Sequence, residues 1–329
     1  MKIVLLLGGT SPEREVSKNT AKSILKALRE LGQEVILVDP AYGLNQPNNE
    51  DDYFSEKNYS EPNNRNYLEI INSSLFDEVD LVFLALHGRW GEDGTIQSLL
   101  EMRGIKYTGS KILTSALAMD KAMTKVVIQH FGVSTPDWLV ANISEQDYSA
   151  YPEKIRTQLG FPCVIKPNDQ GSSVSLTICK KDEDVIPAIM LALRYSDKAL
   201  IEKFIPGREI TVAVLDGAAL PILEIVPKSG LYDYESKYTA GKSEYIVPAP
   251  MPEEVSIEIQ EQAVKAYNAV GCKCYSRIDF RLTENNKAYC LEINTLPGMT
   301  NLSLVPKAAN AAGISFLELI DRIVKDAVN

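Results

Sequence analysis

The stretch CYSRIDFRLTENNKAYCLEIN, residues 274–294, predicts two β-strands joined by a polar turn. Because side chains alternate across a strand, Arg277 and Asp279 lie on the same face of the first strand. By the same period, Glu292 and Asn294 share one face of the second strand. The opposite, apolar face is formed by Ile278, Phe280, Leu282, Leu291 and Ile293. One face of this strand pair is therefore predicted to pack on a core, and the other to face solvent.

Three oxygen-bearing side chains converge if the two strands pair across the turn at residues 284–287: Asp279, Glu292 and Asn294. Hard oxygen ligands without His or Cys favour Mg²⁺, which usually keeps some of its waters and also binds substrate phosphates. An ordinary surface hairpin would show the same alternation. The pattern is thus compatible with a magnesium site and with a plain hairpin, and the spacing alone does not choose between them.

The composition excludes several classes of protein. The 329 residues, 45% of them hydrophobic and 24% charged, are typical of a folded protein with two or three domains at about 150 residues each. A net charge of −10 argues against nucleic-acid binding. No apolar run approaches the ~20 residues of a membrane span, and the first run is too short for a signal peptide. Five cysteines without a CxxC pair predict neither disulfides nor zinc, so we expect a cytoplasmic protein.

The pattern along the chain predicts an α/β protein. The N-terminal part contains three buried strands, at residues 3–7, 34–38 and 81–86. With a helix after the first strand, they predict a layer of parallel strands. Residues 41–66 are rich in Asn, Asp, Pro and Tyr without a period, which predicts a surface insertion. Residues 114–131 predict one helix that carries Asp120 and Lys121, and residues 253–270 predict another.

Two glycine-containing turns are candidates for anion binding. The turn at residues 171–173 lies between predicted strands, and Lys166 and Lys121 could neutralise phosphates beside it, although most such hairpins are plain turns. The turn at residues 8–11 precedes a helix and could hold an anion, but the G-x-G-x-x-G fingerprint of dinucleotide folds is absent. Glu13 is either a helix-start residue or a partner for a ligand's ammonium group.

His87 directly follows the buried strand at residues 81–86. Ligands of open α/β sheets bind at the carboxyl ends of the strands. Gly88, Gly91 and Gly94 surround this histidine in the sequence. The position makes His87 a candidate ligand-binding residue.

Eight ordered blocks contain most of these residues: GGTSPEREVS (8–17), LHGRWGEDG (86–94), MDKAMTK (119–125), VIKPNDQGSSV (164–174), IEKFIPGRE (201–209), YDYESKYTAG (232–241), RIDF (277–280) and LEINTLPGMTNLSLVP (291–306). Together they resemble the D-alanine–D-alanine ligase family of the ATP-grasp superfamily. The resemblance covers nearly the whole chain, and so many blocks in one order make it specific.

The resemblance implies a three-domain ATP-grasp architecture. An N-terminal open parallel α/β domain (1–113) would be followed by two α+β domains, 114–206 and 207–329, that clasp ATP. The implied reaction has two steps, in which one D-alanine is phosphorylated by ATP and the acyl phosphate is then attacked by the amine of a second. The product, D-alanyl-D-alanine, would serve peptidoglycan precursor synthesis. A homodimer is also implied, with no membrane or nucleic-acid partner.

The resemblance also implies roles for particular residues. Those on ATP would be Lys121, Lys166, Ser173, Glu202, Lys203, Ile205, Glu209 and Lys237. Two Mg²⁺ ions, or Mn²⁺, would be held by Asp279, Glu292 and Asn294. The amino acids would be bound by Glu13, His87, Arg277, Gly298, Ser303 and Leu304. The catalytic set would be Glu13, Ser172, Tyr238, Arg277 and Gly298, in which Arg277 and the Gly298 N–H stabilise the tetrahedral intermediate.

Two features bear on selectivity. The polar loop at 228–245, with Lys237 and Tyr238, resembles the family's mobile loop that closes over ATP and excludes water. This Lys-Tyr pair favours D-alanine over D-lactate or D-serine as the second substrate. Arg281 stands where the family usually has an apolar residue beside adenine, and its guanidinium could stack there.

Two other classes of function remain open at the level of sequence. A nucleotide-binding oxidoreductase could be built on the N-terminal glycine turn, although it would lack the dinucleotide fingerprint. A regulator that binds ATP without catalysis would share the fold, because a fold alone does not establish activity. Against the regulator, every charged position that the mechanism uses is filled in this chain.

Overall fold

A parallel three-stranded sheet forms the first layer of the protein. The structure is a computed structural model that describes residues 1–171, 175–227 and 242–329. The first sheet has the order β2-β1-β3, with strands β1 (Lys2–Leu6), β2 (Glu34–Val38) and β3 (Leu81–Leu84). The predicted parallel arrangement is confirmed.

Helix α1 (Arg14–Glu30) packs on this sheet because its apolar residues recur at helical spacing. Its buried face is formed by Ala21, Ile24, Leu25 and Leu28. Three shorter helices follow, α2 (Glu50–Phe54), α3 (Asn66–Ile71) and α4 (Thr95–Met102).

The prediction of a surface insertion at residues 41–66 is wrong in part. Tyr42 and Tyr53 are buried in the segment. Two cationic side chains of α1 bind this segment. Arg14 donates a hydrogen bond to the Asn58 side chain at 3.0 Å, and Lys18 donates one to the Ser55 carbonyl at 2.6 Å. The segment is therefore part of the N-terminal layer rather than an appendage.

The predicted single helix at 114–131 is two helices, α5 (Ile112–Met119) and α6 (Lys121–His130). Asp120 between them has extended backbone angles, and its carboxylate accepts a hydrogen bond from the Met123 N–H at 3.0 Å. An aspartate that caps a helix in this way starts a new helix and ends the previous one. The break places Lys121 in the first turn of α6.

The second sheet is antiparallel, with the order β4-β7-β5-β6. Its strands are β4 (Trp138–Asn142), β5 (Cys163–Pro167), β6 (Thr177–Cys179) and β7 (Lys198–Lys203). Helices α7 (Tyr151–Gln158) and α8 (Asp182–Ala192) cover it. Their shared core includes Ala141, Ile155, Ile165, Val185, Ile189 and Ile201.

The third sheet is antiparallel, with the order β11-β10-β8-β12-β13 and a short β9 beside β8. Its strands are β8 (Arg208–Leu215), β9 (Ala218–Ala219), β10 (Leu223–Pro227), β11 (Ser243–Ile246), β12 (Tyr275–Leu282) and β13 (Ala288–Asn294). Helix α9 (Glu253–Val270) packs on it together with α6. Part of the predicted loop at 228–245 is therefore strand β11, and residues 228–241 lie outside the described residues.

The last two helices pack against the N-terminal layer. Helices α10 (Leu304–Ala311) and α11 (Phe316–Val328) contribute to the same hydrophobic core as β1 and α1, through Val305, Ala309, Leu319, Ile320 and Ile323. The chain thus brings its C-terminal region back to the N-terminal sheet. The N-terminal layer of parallel strands is as predicted, whereas the domain boundaries at residues 113 and 206 stay predictions.

The strand pair β12/β13 contains a β-bulge that the alternation did not predict. The register shifts between Asp279 and Phe280, so that Phe280 lies opposite Cys290. On β13 the buried positions are Ala288, Cys290 and Ile293. Leu291, predicted on the apolar face, is instead only partly buried. A bulge inserts one residue into the period of two, which explains the error.

All five cysteines are buried free thiols. Among the residues that the structure describes, no helix is long and apolar enough to span a membrane.

Candidate active site

The centre of the candidate site is the carboxylate of Asp279 on β12. Asp279 lies directly opposite Glu292 of β13, and Arg277 lies opposite Asn294. Arg277 donates two hydrogen bonds to the carboxylate, at 2.8 and 2.9 Å. Thr211 of β8 donates a third at 2.6 Å, and the amide nitrogen of Asn294 a fourth at 3.0 Å. The structure therefore brings the predicted metal ligands and Arg277 together on one face.

Lys121 reaches this face from another element. It is the first residue of α6, and its Nζ lies 3.5 Å from Oε2 of Glu292. The same Nζ donates to the carbonyl of Gln170 at 2.8 Å, just before the predicted phosphate-binding turn. One ammonium group thus links α6, the loop after β5 and the carboxylate of Glu292 on β13.

A buried carboxylate between two lysines lies next to this site. Glu202 of β7 has Lys166 Nζ 2.5 Å from one oxygen and Lys125 Nζ 2.6 Å from the other. Lys125 also donates to Thr135 at 2.6 Å and to the Pro136 carbonyl at 3.3 Å. These contacts join α6, β5, β7 and the segment before β4. The family resemblance implied that Lys166 and Glu202 lie beside the nucleotide, but Lys125 was not among the predicted site residues.

Within this cluster, Glu202 and Lys166 stabilise each other's charged form. Burial raises the pKa of Glu202, but the two ammonium groups outweigh burial and lower the pKa to about 2. Burial lowers the pKa of Lys166, but Glu202 and Glu292 outweigh it and raise that pKa. Glu202 is therefore ionised and Lys166 is a cation. A fixed positive charge beside Glu292 is suited to binding phosphate oxygens.

The buried Glu202 predicts a pH-dependent loss of stability in acid. Because its folded pKa of about 2 lies below the ordinary value of 4.5, its contribution is complete above 4.5 and is lost as the pH falls toward 2. Urea unfolding of the wild type and of Glu202→Gln should show a stability difference that shrinks by about 3 kcal/mol across this window. The exposed Glu183→Gln variant is the control and should show little change. A Glu202→Gln difference that stays constant with pH would contradict this electrostatic account.

The predicted adenosine-side residues lie where the second sheet passes into the third. Lys203 ends β7, and its N–H donates to the Asp137 carbonyl at 2.9 Å. Ile205 is buried, and Glu209 of β8 forms an ion pair with Arg281 at 3.4 Å. The guanidinium of Arg281 is thus bound to protein groups at this edge, a role different from the stacking that the sequence suggested.

The glycine turn at residues 8–11 is built on internal hydrogen bonds. The N–H of Gly8 donates to Ser17 at 2.8 Å and that of Gly9 to the buried Asp39 at 3.1 Å. The Thr10 N–H donates to the Tyr67 hydroxyl at 3.1 Å. Asp39 is in turn paired with the buried Arg14 at 2.5 Å. These donors hold the turn in place, which removes the reason for proposing an anion or dinucleotide site there.

Glu13 lies two residues after this turn, and its carboxylate is close to two glycines from other segments. A Cβ added at Gly88 would lie 2.7 Å from Oε2 of Glu13, and one added at Gly171 would lie 2.8 Å from the same atom. A side chain at either position would displace the carboxylate, so the two glycines allow both backbones to approach it this closely. The arrangement brings the loop after β3 and the loop after β5 to Glu13.

His87 joins the first layer to the C-terminal segment. Its Nε2 lies 3.0 Å from Oγ1 of Thr20, and its Nδ1 lies 3.9 Å from Glu92. Burial lowers the pKa of His87, but Glu92 and Glu13 outweigh it and raise the pKa overall. A Cβ on Gly298 would lie 4.0 Å from the same Thr20 hydroxyl. His87 and Gly298 therefore share a neighbour.

Ser303 and Leu304 lie beside Gly298, at the start of α10. Ser303 precedes the helix, and its Oγ accepts a hydrogen bond from the Thr300 N–H at 3.0 Å. A Cβ on Gly298 would lie 3.1 Å from this Oγ. Leu304, the first residue of α10, is buried. The free N–H groups at a helix start attract carboxylates, so this corner is suited to the carboxylate of a substrate.

Four predicted site residues lie outside the described residues: Ser172, Ser173, Lys237 and Tyr238. Their roles stay predictions.

Comparisons with known proteins identify the family. A family model described as the D-ala D-ala ligase N-terminus matches residues 2–110, and one described as the C-terminus matches residues 127–325. The D-alanine–D-alanine ligase of Syntrophotalea carbinolica is 43% identical over 99% of this chain and 96% of its own length. That of Aquifex aeolicus is 42% identical over 98% of this chain and 100% of its own length. The chain belongs to the D-alanine–D-alanine ligase family.

Solved structures agree with this assignment. The crystal structure of the Bacillus anthracis D-alanine–D-alanine ligase complexed with ATP has a TM-score of 0.79 and 31% identity, covering 100% of this chain and 97% of that one. A second structure of the same enzyme has a TM-score of 0.80 and 32% identity over the same shares. The predicted ATP-grasp architecture is therefore confirmed.

Proposed function

We propose that this protein joins two D-alanine molecules into D-alanyl-D-alanine with the cleavage of one ATP to ADP and phosphate, for peptidoglycan precursor synthesis. The observation that carries the proposal is the meeting of α6, β5, β12 and β13, where Lys121 and Lys166 face the carboxylates of Asp279 and Glu292. Phosphoryl transfer needs this combination of fixed cations and carboxylates that can hold a divalent ion.

The nucleotide would lie between the second and third sheets. Lys121 and Lys166 would bind its phosphates as fixed charges. The base and ribose would contact the segment from the end of β7 to β8, through Glu202, Lys203, Ile205 and Glu209. Ser173 and Lys237 would complete the phosphate and loop contacts. The choice of ATP as the nucleotide is supported by the related Bacillus anthracis enzyme, whose crystal structure is complexed with ATP.

Asp279, Glu292 and Asn294 have the donor chemistry that Mg²⁺ prefers. Two carboxylates lie opposite each other without nitrogen or sulfur ligands, and Asn294 donates to Asp279 through its nitrogen, a bond that does not use its amide oxygen. We propose that these residues hold two Mg²⁺ ions, with Mn²⁺ as a substitute. Bound there, the ions would neutralise charge on the transferring phosphoryl group.

The amino acids would bind on the first-layer side of this face. Glu13 would hold the ammonium group of the first D-alanine, with His87 nearby and with Ser172 and Tyr238 in the same hydrogen-bonded chain. Ser303 and the N–H of Leu304 would hold the carboxylate of the second D-alanine at the start of α10.

The reaction would follow from this arrangement. A carboxylate oxygen of the first D-alanine attacks the γ-phosphorus of ATP, the bond to ADP breaks, and an acyl phosphate forms. The amine of the second D-alanine then attacks the carbonyl carbon. The bond to phosphate breaks, and the amine loses a proton. Arg277 and the Gly298 N–H would stabilise the oxyanion of the tetrahedral intermediate, because a fixed cation and an oriented amide need no reorganisation.

The test is phosphate release that depends on D-alanine, with product analysis by mass spectrometry. ATP, Mg²⁺ and D-alanine should yield ADP, phosphate and the dipeptide, and omission of D-alanine should stop phosphate release. Mixtures of D-alanine with D-lactate or D-serine should still yield mainly D-alanyl-D-alanine. Absence of D-alanine-dependent phosphate release would refute the proposal.

Gly88 offers a test of the Glu13 assignment. A methyl group at this position would lie 2.5 Å from Ser11 Oγ and 2.7 Å from Glu13, so Gly88→Ala must move the carboxylate. We expect the KM for D-alanine to rise about tenfold while the KM for ATP stays unchanged. Gly104→Ala is a matched control, because Gly104 also has a positive φ (+71°) but nothing within 4 Å of the added Cβ. Equal effects of the two variants on the KM for D-alanine would contradict the assignment of Glu13 to the substrate site.

We also propose a cytoplasmic homodimer with the domain boundaries given above. Five buried free thiols support a reducing compartment. Light scattering combined with size-exclusion chromatography tests the dimer.

A further inference from the structure

Arg281 uses all three nitrogens of its guanidinium group in contacts near the end of β12. It lies directly opposite Glu209 in the β12/β8 register, and its Nη1 is 3.4 Å from Glu209 Oε2. Its Nε donates to the Ile205 carbonyl at 3.2 Å and its Nη2 to the Gly207 carbonyl at 2.5 Å. One planar guanidinium thus contacts three residues of the segment at 205–209, which a lysine could not match with its single nitrogen.

The backbone of the same segment packs closely against the backbone of β12. It runs from the end of β7 to the start of β8 and so connects the second sheet to the third. Gly207 has φ +132°, and a Cβ there would overlap the Leu282 carbonyl oxygen. Gly207 is therefore required for the close approach, and Arg281 holds the carbonyls on either side of the bend. The two residues fix one conformation of the connecting segment.

The charge of Arg281 also helps to hold Glu209. Its guanidinium lies 3.4 Å from the carboxylate, and Glu209 is near enough to Lys166 to contribute to the raised pKa of that lysine. Both cations therefore attract Glu209. Removal of Arg281 would take away one of these attractions, so Glu209 would be held less firmly in its present position.

We propose that Arg281 is a positioning residue that sets the affinity and the sugar selectivity of the nucleotide site, by fixing Glu209 and the carbonyls of Ile205 and Gly207. The inference rests on the proposed function, in which Glu209 and Ile205 contact the adenosine part of ATP. Arg281 touches neither the transferring phosphoryl group nor the amino acids in this account. Its loss should therefore affect nucleotide binding rather than chemistry.

The test is steady-state kinetics of the full-length Arg281→Met protein with ATP and with deoxyadenosine triphosphate. We expect the KM for ATP to rise about tenfold, with kcat within about twofold and an unchanged KM for D-alanine. The preference for ATP over deoxyadenosine triphosphate should also fall, because Glu209 is no longer held at the ribose. Arg281→Lys keeps the charge without the planar fork and should lie between wild type and Arg281→Met.

Arg103→Met is the matched control. Arg103, at the end of α4 in the N-terminal layer, likewise donates to a carboxylate, that of Asp77, and to a backbone carbonyl, that of Ile71. It should leave nucleotide selectivity unchanged. An Arg281→Met protein with wild-type KM for ATP and wild-type sugar preference overturns the inference, as does an equal loss with both nucleotides. A wild-type protein without D-alanine-dependent phosphate release would instead refute the proposed function, so the two failures are distinguishable.

Discussion

Replacing Asp279 with asparagine is expected to lower kcat by about a thousandfold or more while the protein stays folded. Asp279 accepts four hydrogen bonds, two of them from Arg277, and lies opposite Glu292. The substitution removes the charge that would bind a divalent ion and also frees the guanidinium that would stabilise the oxyanion. Both losses fall on the reacting groups, so the effect should be far larger than that of removing a single hydrogen bond.

The measurement combines turnover with a titration of Mg²⁺ and a thermal unfolding curve. The Asp279→Asn protein should need much more Mg²⁺ for any activity. Its unfolding should stay cooperative, although at a lower midpoint because the mostly buried pair with Arg277 is weakened. Thr211→Val removes one hydrogen bond to the same carboxylate and keeps the charge, so about a tenfold loss is expected. Equal losses from the two substitutions would show that the charge of Asp279 is not what matters.

Replacing Lys125 with methionine is expected to lower the free energy of unfolding by about 3 kcal/mol. Lys125 is 1% exposed and pairs with Glu202, which is 3% exposed. Its removal leaves the buried carboxylate paired with Lys166 but without its second cation, and it breaks the hydrogen bond to Thr135. The loss should also weaken ATP binding, because Lys166 is positioned by the same carboxylate.

Urea unfolding at neutral pH measures the effect of Lys125→Met, with two comparisons. Lys198→Met removes a half-exposed pair with Asp120 and should cost less than about 1 kcal/mol. The double variant Lys125→Met/Glu202→Gln should be less destabilised than the sum of its single changes, because neither group is then left unpaired. Strict additivity would contradict the pairing.

The face of the β12/β13 strand pair could be predicted because the period of two depends on backbone geometry alone. Arg277, Asp279 and Asn294 follow that period, and the structure brings them together. The bulge at Leu291 could not be predicted, since it has no glycine or proline to mark it and arises from how β13 pairs with β12. The alternation therefore placed the polar residues better than the apolar ones.

Long-range partners explain the other differences. Tyr42 and Tyr53 lie in a polar segment without period, and they are buried because Arg14 and Lys18, on a separate helix, hold the segment down. Local composition cannot show such contacts. The division of the predicted helix at Asp120, by contrast, had a signal, since aspartate is a preferred N-cap.

Lys125 also had a signal in the sequence. It follows Lys121 by four residues, and residues at this spacing share a helix face. A second lysine on the phosphate-facing side of a helix could have been flagged on that basis. Its partner could not, because Glu202 comes from a strand 77 residues later in the chain.

The central claim is that ATP activates the carboxylate of one D-alanine before the peptide bond forms. D-Alanine labelled in its carboxylate with heavy oxygen tests this directly, by mass spectrometry of the phosphate released during turnover. Attack of the carboxylate on the γ-phosphorus predicts that each phosphate carries one labelled oxygen, alongside unlabelled ADP. Unlabelled phosphate formed together with the dipeptide would contradict the account.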